Sequence, residues 1–351
     1  MAEDKIQQEV VVPPRKRRRL VWIGVAVFGA IVVASAASVG GALLYLESAF
    51  ETPGPAVADG VATVFDVPPG QGLSEISARL EAEGLVTDGR FFRLGVAWNG
   101  AGRALKAGEY SIPSRASMAE IMELLRSGKV IQHKLTLAEG VTTAQALRFV
   151  AANDVLVGEI GSEPKEGELL PETYLFQRGT TRDELIGRIR MARDDLLAEL
   201  WEHRTPDLPF DTLQEAVTLA SIVEKETGIA AERPLVASVF VNRLKRGMRL
   251  ESDPTIIYGL TAGEPLGRGI RQSELAKETP YNTYRIVGLP PTPIANPGRE
   301  SLAAVLNPPQ TKYLYFVADG NGGHVFAETY SEHQRNVATL RRLEREKDAE
   351  R

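Results

Sequence analysis

The chain has 351 residues, of which 43% are hydrophobic and 25% are charged, so it is long enough for more than one globular domain. Its net charge is −5 and its one basic cluster is a short stretch at residues 15–19, which argues against a nucleic-acid-binding protein. Because the sequence contains no cysteine, disulfides, thiolate catalysis and Cys-ligated metals are excluded.

An uncharged stretch at residues 20–46 follows the basic tail of residues 1–19. Ala34 and Ala36 resemble a signal-peptidase site, but the uncharged stretch continues beyond them to the full thickness of a bilayer. This length favours a transmembrane helix over a cleaved signal peptide. Because flanking basic residues stay in the cytoplasm, we expect the tail there and the rest of the chain outside. Residues 47–62, rich in Pro, Gly and Ala, are predicted to be a linker.

Two segments of similar sequence, residues 67–86 and residues 137–156, form an internal repeat. Each copy predicts a strand, a turn at Gly70 or Gly140, and an amphipathic helix. A unit of this kind can bind carbohydrate, or it can act as a packing spacer between a membrane and the next domain. The pattern favours neither alternative over the other.

The rest of the sequence mixes short strands with helices and predicts an α+β fold. Strands are predicted at residues 105–112, 312–318 and 324–328, and helices at residues 117–127, 181–203, 211–227 and 232–246, with a charged helix at the C-terminus. Residues 251–299 are rich in Gly, Pro and Asn and show little helical periodicity, which is typical of a long functional loop.

The helix predicted at residues 211–227 has recognisable signals at both ends. Asp211 and Gln214 have the spacing of a capping box, and Gly228 is expected to stop the helix. Between these ends, the apolar stripe of the helix contains one carboxylate, that of Glu224.

A carboxylate on a core-facing stripe has two explanations. Glu224 lies in line with Val217 on that stripe, whereas Glu226 projects from a different flank of the helix. Glu224 either pairs with a buried base, such as Arg243 or Arg249, or has a pKa raised by burial, so that it can hold a proton near neutral pH and act as an acid.

Polar residues that suit a sugar-binding site recur in the irregular segment, namely Asp253, Tyr258, Asn282, Tyr284 and Asn296. Amide, phenol and carboxyl groups recognise the hydroxyl and N-acetyl groups of sugars, and a carboxylic acid cleaves glycosidic bonds. Glu172 and Tyr174 are further candidates. Such residues also stabilise turns, and Asp253 before Pro254 can instead fix an extended bend. The four histidines are scattered, so neither a metal site nor a cofactor is expected.

Several sequence words occur together and in order across the second half of the chain. They are LASIVEKET at 219–227, ASVFVNRL at 237–244, GMRLESDPT at 247–255, IYG at 257–259, YNTY at 281–284, GLPP at 288–291, IANPG at 294–298 and YLYFVAD at 313–319. Together they resemble the endolytic murein transglycosylase family, also called YceG-like. Residues 67–80 also look like the strand and helix of a LysM-like module, which this family places before its catalytic domain.

The resemblance implies an activity and a catalytic residue. Glu224 is then the single catalytic acid of a lytic transglycosylase, which cleaves the β-1,4 bond between N-acetylmuramic acid and N-acetylglucosamine in nascent peptidoglycan and closes a 1,6-anhydro ring. No water, second carboxylate, metal or cofactor is required. The other candidates are then substrate-contacting residues: Asp253, Tyr258, Asn282, Tyr284, Asn296, Glu172, Tyr174 and Glu226. Glu226 is the alternative candidate for the acid, but its different helical flank favours a supporting role.

The resemblance also implies a location, partners and a domain plan. The partners expected are peptidoglycan strands, penicillin-binding proteins and the elongation or division machinery, at the bacterial inner membrane with the catalytic domain outside the cytoplasm. The expected plan is a tail at 1–19, a transmembrane helix at 20–46, a linker at 47–62, a LysM-like module at 63–132, a repeat-related subdomain at 133–164 and a catalytic domain at 165–345. The alternative is an anchored, glycan-binding scaffold without catalysis.

Overall fold

The computed structural model describes residues 15–56 and 60–349. Most of the basic tail predicted at residues 1–19 lies outside the described residues, as do residues 57–59 of the linker. The chain divides into two compact units, which meet in sequence between Ile131 and Gln132. Residues 133–164, expected to form a subdomain of their own, therefore belong to the same unit as the residues that follow them.

The first unit consists of a long N-terminal helix and a small α/β module. Its elements are α1 (Arg15–Glu51), β1 (Thr63–Val67), α2 (Leu73–Ala82), α3 (Gly89–Trp98), β2 (Gly108–Ile112) and α4 (Met118–Ser127). β1 and β2 pair antiparallel with Phe65 opposite Tyr110, and both of these side chains are fully buried beneath the helices. The helix predicted at residues 117–127 is confirmed as α4: Ser117 forms a capping box at its start, and Gly128 ends it in the left-handed conformation.

α1 runs without a break from Arg15 to Glu51, past the residues that resemble a signal-peptidase site. Its segment Trp22–Glu51 is long and apolar enough to cross a membrane, and most of its side chains are exposed. This helix is compatible with a single-pass anchor or with a signal sequence.

The second unit is mainly helical, with two antiparallel strand pairs. Its elements are β3 (His133–Thr136), α5 (Thr143–Ala151), β4 (Thr173–Phe176), α6 (Arg182–Glu202), α7 (Leu213–Glu226), α8 (Arg233–Lys245), α9 (Asp253–Thr261), α10 (Gln272–Ala276), α11 (Arg299–Leu306), β5 (Tyr315–Ala318), β6 (His324–Ala327) and α12 (Tyr330–Ala349). β3 pairs with β4 and β5 with β6. The mixed α+β class, the C-terminal hairpin and the repeated strand–turn–helix unit are confirmed.

α7 is the central helix of this unit. Every side chain from Ala216 to Glu224 is buried, because α8, α9 and α11 contact α7 on different sides. The single apolar stripe predicted for this helix is therefore too narrow a description, since a helix that is apolar on all sides is enclosed by its neighbours. The enclosure carries the C-terminal turn of α7, with its two glutamates, into the interior.

The ends of α7 differ from the prediction. The capping box is formed by Thr212 and Glu215, whose hydroxyl and carboxylate each accept a hydrogen bond from the other's backbone N–H, at 3.2 and 3.0 Å. Asp211 and Gln214, the predicted pair, have the same spacing one residue too early. At the other end the backbone turns extended at Thr227, so the helix stops without the glycine cap expected at Gly228.

The irregular segment of residues 251–299 contains a helix that the sequence analysis missed. α9 begins at Asp253, with Pro254 in its first turn, where a missing N–H costs no hydrogen bond and the fixed φ suits a helix. The extended bend considered for Asp253 is therefore wrong.

Candidate active site

The last turn of α7 lies where four other segments converge. A connection at residues 227–232 returns the chain so that the start of α8 faces the end of α7. The start of α9 and the loop at residues 294–298 approach from further along the chain, and the turn after β3 approaches from the repeat. Two groups of side chains form here, one around Glu224 and one around Glu226.

The enclosed cluster consists of Glu224, Arg233, Glu139 and Gly298. The Glu224 side chain is only 4% exposed, and its Oε1 accepts a hydrogen bond from the Arg233 guanidinium at 3.1 Å. Its Oε2 accepts one from the backbone N–H of Gly298 at 2.9 Å. Arg233 also pairs with Glu139 at 2.7 Å. Both Glu224 oxygens are thus bonded to groups of the protein itself.

The backbone at Gly298 and at Gly140 packs closely against this cluster and the end of α7. A Cβ atom at Gly298 would overlap the carboxylate end of Glu139, so a larger residue there would have to displace that side chain from Arg233. Gly140, in the left-handed conformation, accepts a hydrogen bond from Lys225 on its carbonyl oxygen at 3.2 Å, and its N–H donates to the Asn296 carbonyl at 3.1 Å. The glycine turn of the second repeat copy therefore packs against the C-terminal end of α7.

The open cluster consists of Glu226, Ser252, Asp253 and Tyr284. The partly buried Glu226 carboxylate accepts a hydrogen bond from the Ser252 hydroxyl, and the Tyr284 hydroxyl donates to Asp253 Oδ1 at 2.8 Å. Asp253 is exposed and Tyr284 is partly exposed, so this cluster reaches solvent.

Burial dominates the electrostatics of Glu226. It raises the pKa of this carboxyl to about 7, although the hydrogen bond from Ser252 works in the opposite direction. The charge of Asp253 raises the pKa further, while His324 and Arg243 lower it. Burial also raises the pKa of Tyr284, so its hydroxyl stays protonated as a donor. Near neutral pH, Glu226 can therefore exist in either protonation state.

A groove runs along α9 and is lined by residues that include Lys225, Pro254, Ile257 and Tyr258. Lys225 and Pro254 adjoin Glu226 and Asp253 in sequence, although the four residues of the open cluster do not line the groove themselves. The Tyr258 hydroxyl donates a hydrogen bond to Glu166 at 3.1 Å. Burial raises the pKa of Glu166, although its hydrogen bonds act against that effect. Tyr258, a predicted sugar contact, thus lines the groove, while its hydroxyl is bonded to Glu166 and its ring packs 5.1 Å from that of Tyr281.

Two of the predicted sugar contacts are structural instead. Asn282 is 1% exposed, and its side-chain amide donates to backbone carbonyls at the end of α10, including that of Lys277 at 2.6 Å. Asn296 is fully buried; its Oδ1 accepts from the Leu169 N–H at 3.0 Å, and its Nδ2 donates to the Val141 carbonyl at 3.1 Å. These amides hold loops in place and have no exposed polar atom to offer a ligand.

Tyr174 lies in β4 and Glu172 directly before it. Tyr174 is buried in a separate hydrophobic cluster, and its hydroxyl donates to the Leu170 carbonyl at 2.8 Å. Glu172 is exposed. Neither residue is part of the open cluster, and their predicted contact with substrate stays a prediction.

The buried base considered for Glu224 is Arg233 rather than Arg243 or Arg249. Arg243 instead pairs with Glu251 at 3.0 Å and donates to the Leu314 carbonyl. The short connection between α7 and α8 was the available signal for Arg233, because it places the first residue of α8 beside the last turn of α7. No sequence signal pointed to Ser252 or Glu166, which are brought in by α9 and by a long connection.

Comparison with known proteins gives these clusters a context. The sequence model of the YceG-like family matches residues 65–339. The endolytic murein transglycosylase of Bacillus subtilis (strain 168) is 31% identical over 330 residues, which cover 85% of this chain and 89% of that protein. The endolytic murein transglycosylase of Streptococcus pneumoniae serotype 2 (strain D39 / NCTC 7466) is 30% identical over 321 residues, which cover 78% of this chain and 57% of that longer protein.

Among solved structures, a yceG-like protein from Listeria monocytogenes, determined at 2.6 Å, is 29% identical to this chain. The match covers 78% of this chain and 98% of the Listeria chain, with a TM-score of 0.49. The extent of the family match, and an identity above 30% over most of both chains in the Bacillus comparison, lead to one conclusion: this chain belongs to the YceG-like family.

Proposed function

We propose that the protein is a lytic transglycosylase that cleaves the β-1,4 bond between N-acetylmuramic acid and N-acetylglucosamine in nascent peptidoglycan strands and so terminates their elongation. Support comes from the relatives, which are named endolytic murein transglycosylases. The observation that carries the proposal is the partly buried Glu226 carboxyl, which accepts a hydrogen bond from Ser252 next to the exposed Asp253 and whose pKa is raised to about 7.

The proposal assigns the acid role to Glu226 rather than to Glu224, the residue favoured by helical phase and by the family motif. An acid must carry a proton and reach the glycosidic oxygen within hydrogen-bond distance. Both oxygens of Glu224 are bonded to Arg233 and Gly298, and its side chain is 4% exposed. Glu226 is only partly buried, adjoins the exposed Asp253, and has a pKa raised to about 7. We propose that Glu224 has a structural role, in which its hydrogen bonds hold Arg233 and Gly298 in place behind the site.

The chemistry needs one carboxyl group in two states. Protonated Glu226 donates its proton to the leaving glycosidic oxygen, and the resulting carboxylate then accepts a proton from the C6 hydroxyl of the muramic sugar as the 1,6-anhydro ring closes. The attacking hydroxyl belongs to the sugar that is being cleaved, so its proximity replaces a bound water. General acid–base catalysis of this kind contributes about 10²- to 10⁴-fold in rate.

The neighbours of Glu226 have separate proposed tasks. Ser252 orients the carboxyl by its hydrogen bond, and the Tyr284–Asp253 pair borders the sugar whose positive charge develops in the transition state. The Tyr258 ring provides an apolar surface for a neighbouring sugar in the groove. Asp253 is also the carboxylate that would serve as partner of Glu226 in a lysozyme-like hydrolase, so the reaction product must decide between the two mechanisms.

We also propose a setting for the reaction. α1 anchors the protein in the bacterial inner membrane, with the basic tail in the cytoplasm and both units outside it. A position outside the cytoplasm gives access to newly made glycan strands. Penicillin-binding proteins and the elongation or division machinery are the proposed neighbours, through the LysM-like module at residues 63–132 or through the catalytic unit.

The test is the product formed from uncrosslinked glycan strands by the full chain in detergent, read by mass spectrometry. We expect 1,6-anhydro ends from the parent protein and from Glu224→Gln, and none from Glu226→Gln. Reducing ends formed by water would replace this proposal with a hydrolase. Intact strands that remain bound to the parent protein would favour the non-enzymatic scaffold.

A further inference from the structure

The C-terminal end of α1 is part of the hydrophobic core of the first unit. Phe50 is 6% exposed, and its ring lies 6.3 Å from that of Phe92 in α3. A Cβ atom at Gly95 would overlap the Phe50 ring, so α1 and α3 approach each other at a glycine. One side of this contact is extended by Tyr45, whose ring meets the edge of Phe91 at 6.1 Å. This packing fixes the direction of α1 relative to the module.

The same packing fixes the position of Trp98 along the axis of α1. Trp98, at the end of α3, lines a cleft together with Leu43, Leu46 and Glu47 of α1. The uncharged stretch ends at Leu46, and Glu47 is the first charged residue after it. That stretch is about 40 Å long as a helix, whereas the hydrocarbon core of a bilayer is about 30 Å thick. Its last turn, and Trp98 beside it, therefore fall in the headgroup layer if α1 spans the membrane.

The exposed side of α3 has the composition of a surface that meets lipid headgroups. Trp98 is 73% exposed and Leu94, one helical turn before it, is 52% exposed. Arg90 lies one turn earlier on the same side, where its guanidinium pairs with Asp88 at 2.8 Å, and Arg93 is exposed beside it. Tryptophan is enriched at the membrane interface because its ring is apolar and its N–H is polar, and arginine is attracted by anionic lipids.

We propose that the exposed side of α3 (Arg90, Leu94 and Trp98) rests on the surface of the bilayer that α1 crosses. The occupant is the lipid headgroup layer, identified by the height of Trp98 beside the end of the apolar stretch and by its basic neighbours. The inference rests on the proposed membrane anchor and goes beyond it. The module then lies against the membrane, and it does not swing on the linker that follows α1.

Trp98 itself provides the test, because the sequence contains three tryptophans, Trp22, Trp98 and Trp201. Full-length single-tryptophan variants are reconstituted in vesicles of phosphatidylethanolamine and phosphatidylglycerol, some with bromine atoms on the acyl chains near the headgroup. Bromine quenches tryptophan emission on contact. Variant Trp22→Phe/Trp201→Phe retains Trp98, and variant Trp98→Phe/Trp201→Phe retains Trp22 in α1. We expect both to lose emission in the brominated vesicles, and Trp98 to emit further to the blue than a tryptophan in water.

A matched control places the reporter elsewhere on the module. Val64 of β1 is 55% exposed on the side of the sheet that faces away from the helices, so Val64→Trp with the three natural tryptophans replaced by Phe should keep its emission. Leu94→Glu in the Trp98-only protein should reduce the quenching, because it places a carboxylate against the lipid. Quenching of Trp22 without any quenching of Trp98 would overturn the proposal. Unchanged emission of both Trp22 and Trp98 in the brominated vesicles would instead show that the anchor itself is wrong.

Discussion

The enclosed and open clusters are built on glutamates only two residues apart, yet their surroundings differ completely. Arg233 and Gly298 occupy both oxygens of Glu224 in the interior. Glu226 lies on a different flank of the helix, accepts a hydrogen bond from Ser252 and lies near the charge of the exposed Asp253. Burial raises its pKa to about 7. The deeper carboxylate is thus the more fully satisfied one. Burial, and then the charge of Asp253, raise the pKa of Glu226, whereas the carboxylate of Glu224 is held by Arg233 and Gly298.

The largest effect expected is the loss of activity in Glu226→Gln. The amide keeps the shape of the side chain but has no proton to donate, so we expect the rate to fall by about 10²- to 10⁴-fold. Release of anhydro-ended glycan under single-turnover conditions measures this. Glu224→Gln is the matched control on the same helix and should stay within about tenfold of the parent rate, since 1.4 kcal/mol corresponds to that factor. A reversed order of the two variants would assign the acid to the enclosed cluster.

The enclosed cluster should show itself in stability. Glu224→Gln leaves the buried Arg233 with only Glu139 as an ionic partner, so the free energy of unfolding of the second unit should fall by about 3 kcal/mol. Denaturant unfolding followed by the emission of Trp201, after replacement of the two tryptophans of the first unit, reports on this unit alone.

The matched control for that measurement is Glu172→Gln, which removes the charge of an exposed glutamate in the same unit. Its unfolding midpoint should not move, because an isolated surface charge contributes little. Equal stability of the parent and Glu224→Gln would mean that the Arg233 contact is not a structural link.

The open cluster should make stability depend on pH. Because the pKa of Glu226 is raised from 4.5 to about 7 on folding, the folded chain holds this proton more tightly than the unfolded chain. The contribution of Glu226 is therefore complete below pH 4.5 and is lost as the pH rises through about 7. The loss amounts to at most about 3 kcal/mol, at 1.36 kcal/mol per unit of pKa.

The difference in unfolding free energy between the parent and Glu226→Gln, followed from about pH 4 to about pH 9, isolates this group. The variant should gain on the parent as the pH rises and should be the more stable protein above pH 7, since it has no buried charge to form. A constant difference across the range would show that Glu226 has an ordinary pKa.

The smallest effect is expected at Ser252, whose hydrogen bond lowers the pKa of Glu226. Ser252→Ala should therefore move the alkaline limb of the pH–rate profile upward, by less than about one unit. Ser238→Ala is the control, because Ser238 is a buried, hydrogen-bonded serine in α8 with no contact to Glu226. A downward shift in Ser252→Ala, or the same shift in both variants, would contradict the role given to Ser252.

Local sequence signals predicted most of the fold. The two copies of the repeat each form a strand, a left-handed glycine turn and a helix, with Gly70 and Gly140 at equivalent places. Their different roles were not predictable, because the first turn is exposed whereas the second is bonded to Lys225 and Asn296. Periodicity reports on the residues within an element, and those partners come from distant parts of the chain.

The same limit explains the errors at the site. The helical periodicity of α7 correctly placed Glu224 toward the interior. Periodicity does not reveal which side chain pairs with Glu224, or whether the flank that carries Glu226 is covered by other segments. Asn282 and Asn296 have the residue type of a sugar contact, and only their burial shows that they hold loops. A proline favours extended backbone in the residue before it, which suggested a bend at Asp253. A proline is also favoured in the first turn of a helix, and this second preference prevails at Pro254.

The most direct test of the central claim is the titration of Glu226 itself. Carbon NMR of the full chain labelled at the glutamate carboxyl group, compared with the spectra of Glu226→Gln and Glu224→Gln, assigns the two resonances by their absence. We predict that the resonance missing from Glu226→Gln titrates with a midpoint near 7. A midpoint near 4.5 for that resonance, with a near-neutral midpoint for the one missing from Glu224→Gln, would contradict the account and return the acid role to Glu224.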